Sequence, residues 1–320
     1  MQNPFTLTFG KNPLVSIERP MQIKEIIDAF TAEQINQQIF LLTGVRGFGK
    51  TVMMNEISKR LKKLSDWIVV ELNPSLDLLD SLLSKLYSDR FCAKLIHSAK
   101  INLSFFGFGV KFDGSNQITN AETAIIAILE NLQKENKRLL ITIDEVTNNK
   151  YIQIFAASFQ IFVRSDLPVF FLGTGLYENI EELQNEKNLT FLYRAPKIVL
   201  KPLNKRAIIS KYQTIFNIDE ENASKMAEMT KGYPFAFQVL GYLTWKQNGD
   251  YNSVFPQYMQ YLSEFVYDKL WSELSEKDRK VAEGIANTES GKILEIRAFL
   301  NMETNEFNPY RKRLIKKGNY

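Results

Sequence analysis

The sequence predicts an α/β protein, with a parallel sheet covered by helices on both faces and a wholly helical region behind it. Three observations lead there. Short, continuously apolar runs of strand length recur as far as Leu203, the pattern of strands buried on both faces. Segments of helical period separate them, which is the alternation that builds a parallel sheet. From Asn204 onward only helical period is found.

In chain order, RPMQIKEIIDAF places Ile23, Ile26, Ile27 and Phe30 at helical spacing, with Pro20 near the start, where its missing N–H costs little. IFLLT, from Ile39 to Thr43, is the first buried strand, and TVMMNEISKRLKKL is a helix with a basic outer face. DWIVVELN is the second strand, and SLDLLDSLLSKLY opens a helical stretch that runs to His97. KINLSFFGFGVKF, with Gly107 and Gly109 at its centre, reads as a hairpin, followed by the polar loop DGSNQ. AETAIIAILENLQKEN is a helix, RLLITIDE a strand ending in two carboxylates, and NNKYIQIFAASFQIFVRSD a helix. LPVFFLGTG is a further buried strand and APKIVLKPL the last. Beyond it, NKRAIISKYQTIF, DEENASKMAEMTKG, PFAFQVLGYLTWKQ and VFPQYMQYLSEFVYDKLWSEL are helical by period. A final unit from about Ser275 holds three short helices, SEKDRKVAEGIAN, KILEIRAFL and NPYRKRLIKKG.

Composition narrows the chemistry. At 320 residues, 45% hydrophobic and 24% charged, the chain has ordinary globular usage and length for two or three domains. Its longest apolar stretch, Ile154 to Val163, is interrupted by Ser158 and Gln160 and falls far short of a membrane span. The first residues, MQNPFTLTFG, lack the charged-then-apolar order of a signal peptide. A reducing cytoplasm is the expectation, because Cys92 is the only cysteine. One histidine and one cysteine exclude a Cys/His zinc centre. His97 lies in LIHSAK with no elbow-like motif around Ser98, which speaks against a hydrolytic triad. The net charge of +4 is small, yet RKRLIKK at the C-terminus gathers five cations.

The segment richest in chemistry is GVRGFGKT, Gly44 to Thr51, directly after IFLLT. It fits G-x-x-x-x-G-K-[ST], which at ordinary glycine and lysine usage has chance odds of about one in a hundred in a chain this long. A buried strand enters the loop and a helix leaves it. That is what a phosphate cradle requires: backbone N–H groups at a helix N-terminus wrap the anion, and glycine lets the backbone approach. Gly44, Val45, Arg46, Gly47, Phe48, Gly49 and Val52 would surround the nucleotide, with Arg46 turned to solvent. Lys50 would reach the β- and γ-phosphate oxygens, and Thr51 would ligate Mg²⁺ through its hydroxyl.

RLLITIDE supplies the partner chemistry. Asp144, at the end of a hydrophobic strand, is placed to hold the Mg²⁺ shell, and Glu145 to polarise an attacking water as general base. Thr174 ends LPVFFLGTG, a strand able to lie beside the one bearing Asp144. Its hydroxyl either touches the γ-phosphate or the water, or simply closes a Gly-Thr-Gly turn.

With these three elements in this order and helices behind them, the chain resembles the AAA+ and STAND ATPases, and among them the archaeal-type, initiator-like group. The resemblance implies a P-loop NTPase of the additional-strand glutamate class over residues 1–202, a helical lid over 203–272 and a winged-helix-like domain over 273–320. It implies ATP and Mg²⁺ as ligands, with Lys50, Glu145 and Thr174 as the catalytic set and Thr174 in the sensor position. VSIERPMQIKEI is similar to the family's adenine-side box, although Glu18 stands where a glycine is usual. Gly232-Tyr233-Pro234 resembles the G-x-P of STAND proteins, in which the proline abuts the base. The same residues also read as one helix ending at glycine and the next beginning at proline. The lid arginine of initiators is missing, since no arginine lies between Arg206 and Arg279. Arg164 and Arg194 are the candidate arginine fingers for a neighbouring subunit.

The last helix decides the partner. NPYRKRLIKKG offers Asn308 as cap, Pro309 as the first helical residue and Gly318 as the stop. Tyr310, Leu314 and Ile315 form an apolar face, leaving Arg311, Lys312, Arg313, Lys316 and Lys317 outward. As the third helix of a helix-turn-helix it would enter a DNA major groove and neutralise phosphates. As a solvated or protein-binding face it would not. A wing would begin where the chain stops at Tyr320, so the winged helix is expected to be partial. Three functions fit: a slow Mg-ATP switch acting on double-stranded DNA, a STAND-type scaffold that self-associates or binds protein, and a pseudo-ATPase that binds nucleotide without turnover.

Overall fold

The computed structural model describes residues 2–8, 13–108, 118–186 and 190–316. The chain forms two compact units. One is Glu18–Thr43 with Lys50–Val199; the other is the chain up to Ile17, the loop Gly44–Gly49 and everything from Leu200. The sequence alone groups the first residues and the loop with the sheet, whereas the folded chain groups them with the later helices.

The sheet unit holds five parallel strands: β1 (Ile39–Thr43), β2 (Trp67–Leu72), β3 (Arg138–Ile143), β4 (Val169–Gly175) and β5 (Lys197–Val199). Their order is β2-β3-β4-β1-β5, so β4 is inserted between the strand that enters the glycine loop and the strand that ends at the carboxylates. The register pairs Leu42 with Thr174 and Ile143 with Gly173. All five residues of β1 and all seven of β4 are buried, which is why neither shows period-two alternation. Among the described residues, eight helices belong to this unit: α1 (Pro20–Thr31), α2 (Lys50–Lys62), α3 (Leu78–Ser88), α4 (Arg90–Ser98), α5 (Ala121–Lys134), α6 (Lys150–Arg164), α7 (Tyr177–Gln184) and α8 (Thr190–Tyr193). Side-chain caps start several of them. Asp77 accepts from the N–H groups of Leu79 and Asp80, and Asn149 from that of Ile152, each satisfying a donor the helix cannot.

The end of α1 is fixed from within the sheet. The Arg138 guanidinium donates to the carbonyls of Phe30 at 2.6 Å and Ala32 at 3.1 Å, where a helix C-terminus leaves acceptors unpaired. Phe30 packs among Phe40, Trp67 and Phe170. The hairpin expected over KINLSFFGFGVKF is not formed in its described part. Ser104–Phe106 is one 3-10 turn closed by Gly107 at φ +78°, and Gly109 lies outside the described residues. Ile101 and Leu103 are buried in the helical layer. Their alternation is that of a plug seated in a core, not of a paired strand.

Among the described residues, the second unit has two apolar clusters. The first belongs to α9 (Lys205–Phe216), α10 (Glu220–Thr230), α11 (Pro234–Lys246) and α12 (Phe255–Leu262). A π-helical turn, Ser263–Tyr267, joins α12 to α13 (Asp268–Ser272), so the single long helix read there is interrupted. Phe5 is 3% exposed and completes this cluster, lying against Phe216, Phe237 and Gly241. The other cluster is built by α14 (Glu276–Ala286), α15 (Ile293–Leu300) and α16 (Thr304–Lys316) around Val281, Ile296, Phe307 and Leu314. Helix α16 starts five residues before the predicted first position, and Pro309 is inside it. The cause is Phe307, fully buried, which requires helix upstream of the proline; its N–H donates to the Glu303 carbonyl at 2.9 Å. Gly318 lies outside the described residues. Among the described residues no strand follows Val199, and no helix is long and apolar enough to cross a membrane.

Candidate nucleotide site

The loop between β1 and α2 is shaped for an anion. Gly47 and Gly49 take φ of +79° and +82°, conformations that cost an L side chain about 1 kcal/mol or more. The chain then enters α2 at Lys50, so a helix N-terminus, with its inward N–H groups and partial positive charge, opens where the loop closes. Gly44 leaves no room either: a Cβ there would stand 3.3 Å from the Leu200 carbonyl oxygen.

Within the sheet unit, Asp144 is held from three directions. The Thr51 hydroxyl donates to Oδ2 at 2.8 Å, the Thr174 hydroxyl donates to Oδ1, and the Glu145 N–H reaches Oδ1 at 3.1 Å. The inserted strand makes this possible by putting fully buried Thr174 one step from the end of β3. Thr174 also accepts from the Glu145 N–H at 3.2 Å, and its carbonyl accepts from Val146 at 2.7 Å. These bonds hold Glu145 at φ +55°, uncommon for a residue other than glycine, with its side chain exposed. Beside the two roles expected of Thr174, the geometry shows a third contact, its hydroxyl on the Asp144 carboxylate. A hydroxyl and a carboxylate oxygen 2.8 Å apart, one of them in the first turn of α2, are the all-oxygen donors Mg²⁺ takes when phosphates complete its shell. The residues therefore fit Mg²⁺ with a nucleoside polyphosphate.

Lys50, Thr51 and Val52 are half-buried in the first turn of α2, Val45 and Phe48 are half-buried in the loop, and Arg46 is exposed. The Arg46 guanidinium lies 4.0 Å from Glu273. Lys231 caps α10 at φ +49°, Gly232 follows at φ +74°, and Pro234 is the first residue of α11. Arg164 is exposed at the end of α6, and Arg194 is exposed just after α8. Glu18 pairs with Arg60 of α2 at 2.9 Å.

One of the cations expected on α16 is ion-paired and still exposed. Arg313 does not stand out as a free cation: Nε and Nη2 lie 2.8 and 2.7 Å from Oδ1 of Asp278, itself buried in α14. Burial alone would raise the Asp278 carboxyl, but hydrogen bonds from Ser275 and Arg313 bring it below the ordinary aspartate range. Lys312 is exposed and Arg311 half-buried, and Lys317 lies outside the described residues. Two residues that sequence reasoning missed are Tyr233 and Asp278. The S-E-K-D spacing of a capping box, realised here by Ser275 and Asp278, was a readable signal for the second.

No protein-family model matches the sequence, and no curated protein matches it. Solved structures do. The ORC2 protein of Aeropyrum pernix in ADPNP-ADP complexes is similar over 94% of this chain and 86% of its own, with a TM-score of 0.60 at 13% identity. Its ADP form matches at 0.52 and 13%, over 93% and 85%. Cdc6p from Pyrobaculum aerophilum matches at 0.50 and 11%, over 97% and 89%. The likeness is one of fold, a P-loop NTPase fold shared with these proteins.

Proposed function

We propose that the protein binds and slowly hydrolyses Mg-ATP as a molecular switch, and that its helical lid passes the nucleotide state to the C-terminal helices, which bind double-stranded DNA. The observation that carries the reading is the clamp on Asp144, joined by hydroxyls from the first turn after the glycine loop and from the inserted strand. The similar Aeropyrum protein is described in complexes with ADPNP and ADP. Bound Mg-ATP would supply the reactive γ-phosphoryl group. Thr51 and Asp144 would hold the metal, Lys50 would neutralise the outer phosphates, and Glu145 would accept a proton from water at its exposed carboxylate. Arg164 and Arg194, both exposed, are the residues a neighbouring copy would offer as fingers, and Pro234 the one that would meet the base.

DNA binding rests on the cations of α16 other than Arg313, namely Arg311, Lys312 and Lys316, with Lys317 beyond them. A second reading, a STAND-type scaffold with a protein partner, is favoured by α15, where Leu294 is 77% and Phe299 57% exposed. Such apolar side chains suit a protein contact more than a phosphate backbone.

Two variants test the site. Lys50→Ala is expected to lose nucleotide, and Glu145→Gln to keep ATP bound while phosphate release stops. Turnover retained in Glu145→Gln would assign the base elsewhere, and nucleotide binding retained in Lys50→Ala would dismiss the loop as the phosphate site.

A further inference from the structure

The motif G-x-x-x-x-G-K-[ST] leaves the position of Gly47 free, yet the structure demands glycine there twice over. Its φ is +79°, and a Cβ would lie 2.3 Å from the phenolic oxygen of Tyr233. Tyr233 lies in the junction between α10 and α11, immediately before Pro234. Its hydroxyl donates to the Arg46 carbonyl at 2.8 Å, and its ring meets that of Phe48 edge-on at 5.5 Å between centroids. All of these residues belong to one compact unit.

We infer that Tyr233 is a positioning residue that aims the Gly47 N–H at a bound phosphate and links the phosphate loop to the α10–α11 junction. This rests on the reading of the loop as a nucleotide site. The geometry of a single peptide carries it. The Arg46 carbonyl and the Gly47 N–H share a planar trans unit and point in opposite directions. A donor fixed on the carbonyl sets the direction of the N–H without touching the ligand. Glycine at 47 would otherwise let that peptide turn freely.

The junction is firm enough to act as the other end of the link. The Tyr233 N–H donates to the Thr230 carbonyl at 2.8 Å, its carbonyl accepts from Phe237 at 3.0 Å, and the Gly232 carbonyl accepts from Leu203 at 2.8 Å. Burial raises the Tyr233 phenol well above its ordinary range, so the hydroxyl stays a donor at every physiological pH. A displacement of α11 therefore pulls on the peptide that faces the phosphates. By linkage, an occupied loop holds the junction equally.

The test measures ADP and ATP affinity by calorimetry, and melting temperature with and without ADP, for the wild type and Tyr233→Phe. Tyr233→Phe keeps the ring and removes the hydroxyl. Its nucleotide dissociation constant is expected to rise about twofold to tenfold, with the ADP-induced gain in melting temperature reduced and the nucleotide-free melting temperature unchanged. Equal affinity in the two proteins, or a lower nucleotide-free melting temperature with the ADP-induced gain intact, overturns the inference. A wild type that binds neither nucleotide fails the loop reading itself, which is a different result. Should Tyr233→Phe not fold, amide hydrogen exchange of the wild type decides: ADP is expected to slow exchange in Gly232–Phe237, and unchanged exchange there overturns the link.

Discussion

Thr174→Val removes one hydroxyl at nearly constant volume from a fully buried position. In the wild type, Oδ1 of Asp144 accepts from that hydroxyl and from the Glu145 N–H, while Oδ2 accepts from Thr51. The valine leaves Oδ1 with the backbone donor alone. A hydrogen bond to a charged group contributes about 1.5–3 kcal/mol, and the half-buried Asp144 recovers part of this from water, so the lower end applies. At roughly 1.4 kcal/mol per factor of ten, the Mg²⁺ concentration for half-maximal ATPase activity is expected to rise about tenfold. The assay is phosphate release at saturating ATP against a Mg²⁺ titration, with ADP affinity in chelator as control, because Lys50 and the loop amides are untouched. An unchanged Mg²⁺ requirement in a folded variant refutes the positioning role. A fall in kcat alone, with the same Mg²⁺ requirement, refutes it too and places Thr174 on the reacting groups.

Two further outcomes probe the helical unit. Phe5→Ala vacates a site enclosed by Phe216, Phe237 and Gly241 and is expected to cost about 3–5 kcal/mol, read as a fall in the calorimetric melting temperature; a shift within error would mean that the N-terminal segment does not seat there. Arg311→Ala with Lys312→Ala is expected to lower the slope of log affinity for duplex DNA against log salt by about one for each phosphate no longer neutralised, and an unchanged slope would remove α16 from any DNA contact.

The fold class could be read from the chain because the central strands β1 and β4 are buried on both faces and each strand carries a short apolar run. Asp144 and Thr174 could be named as well, since each sits at or just beyond the end of such a run, and Thr51 because it closes the G-x-x-x-x-G-K-[ST] spacing. What could not be read was their mutual geometry. Thr174 was equally a turn residue until strand order put β4 between β1 and β3. The described part of the expected hairpin does not pair for a related reason, because Ile101 and Leu103 alternate in sequence with a polar residue whether they pair or plug a core. Tyr233 and Gly47 are far apart in sequence, and no local pattern joins them. Pro309 misled because a proline marks a helix start only when nothing upstream needs burying, and Phe307 does.

Arg313 shows most sharply how a cation read as outward can be structural. Asp278 is 1% exposed, and it closes the capping box of α14 with Ser275 while accepting from Arg313 of α16. Removing Arg313 leaves a buried carboxylate with the serine alone. The full penalty for a broken buried pair is about 3–5 kcal/mol. The Arg313 side chain is 44% exposed and its charge is screened on that side, so Arg313→Ala is expected to cost about 1–3 kcal/mol. The pH dependence separates this from a loss of packing. A carboxyl whose folded value lies below its unfolded one contributes stability above the unfolded value, near about 3.9, and loses it as pH falls through the folded value. The stability gap between wild type and Arg313→Ala, from denaturant unfolding followed by hydrogen exchange in residues 276–316, is therefore expected to be full at neutral pH and to shrink below about pH 4. Lys312→Ala, outside the pair, should show no such gap. A gap that is the same at neutral and acid pH would mean that Arg313 contributes through its guanidinium over the Tyr310 ring rather than through the Asp278 carboxylate.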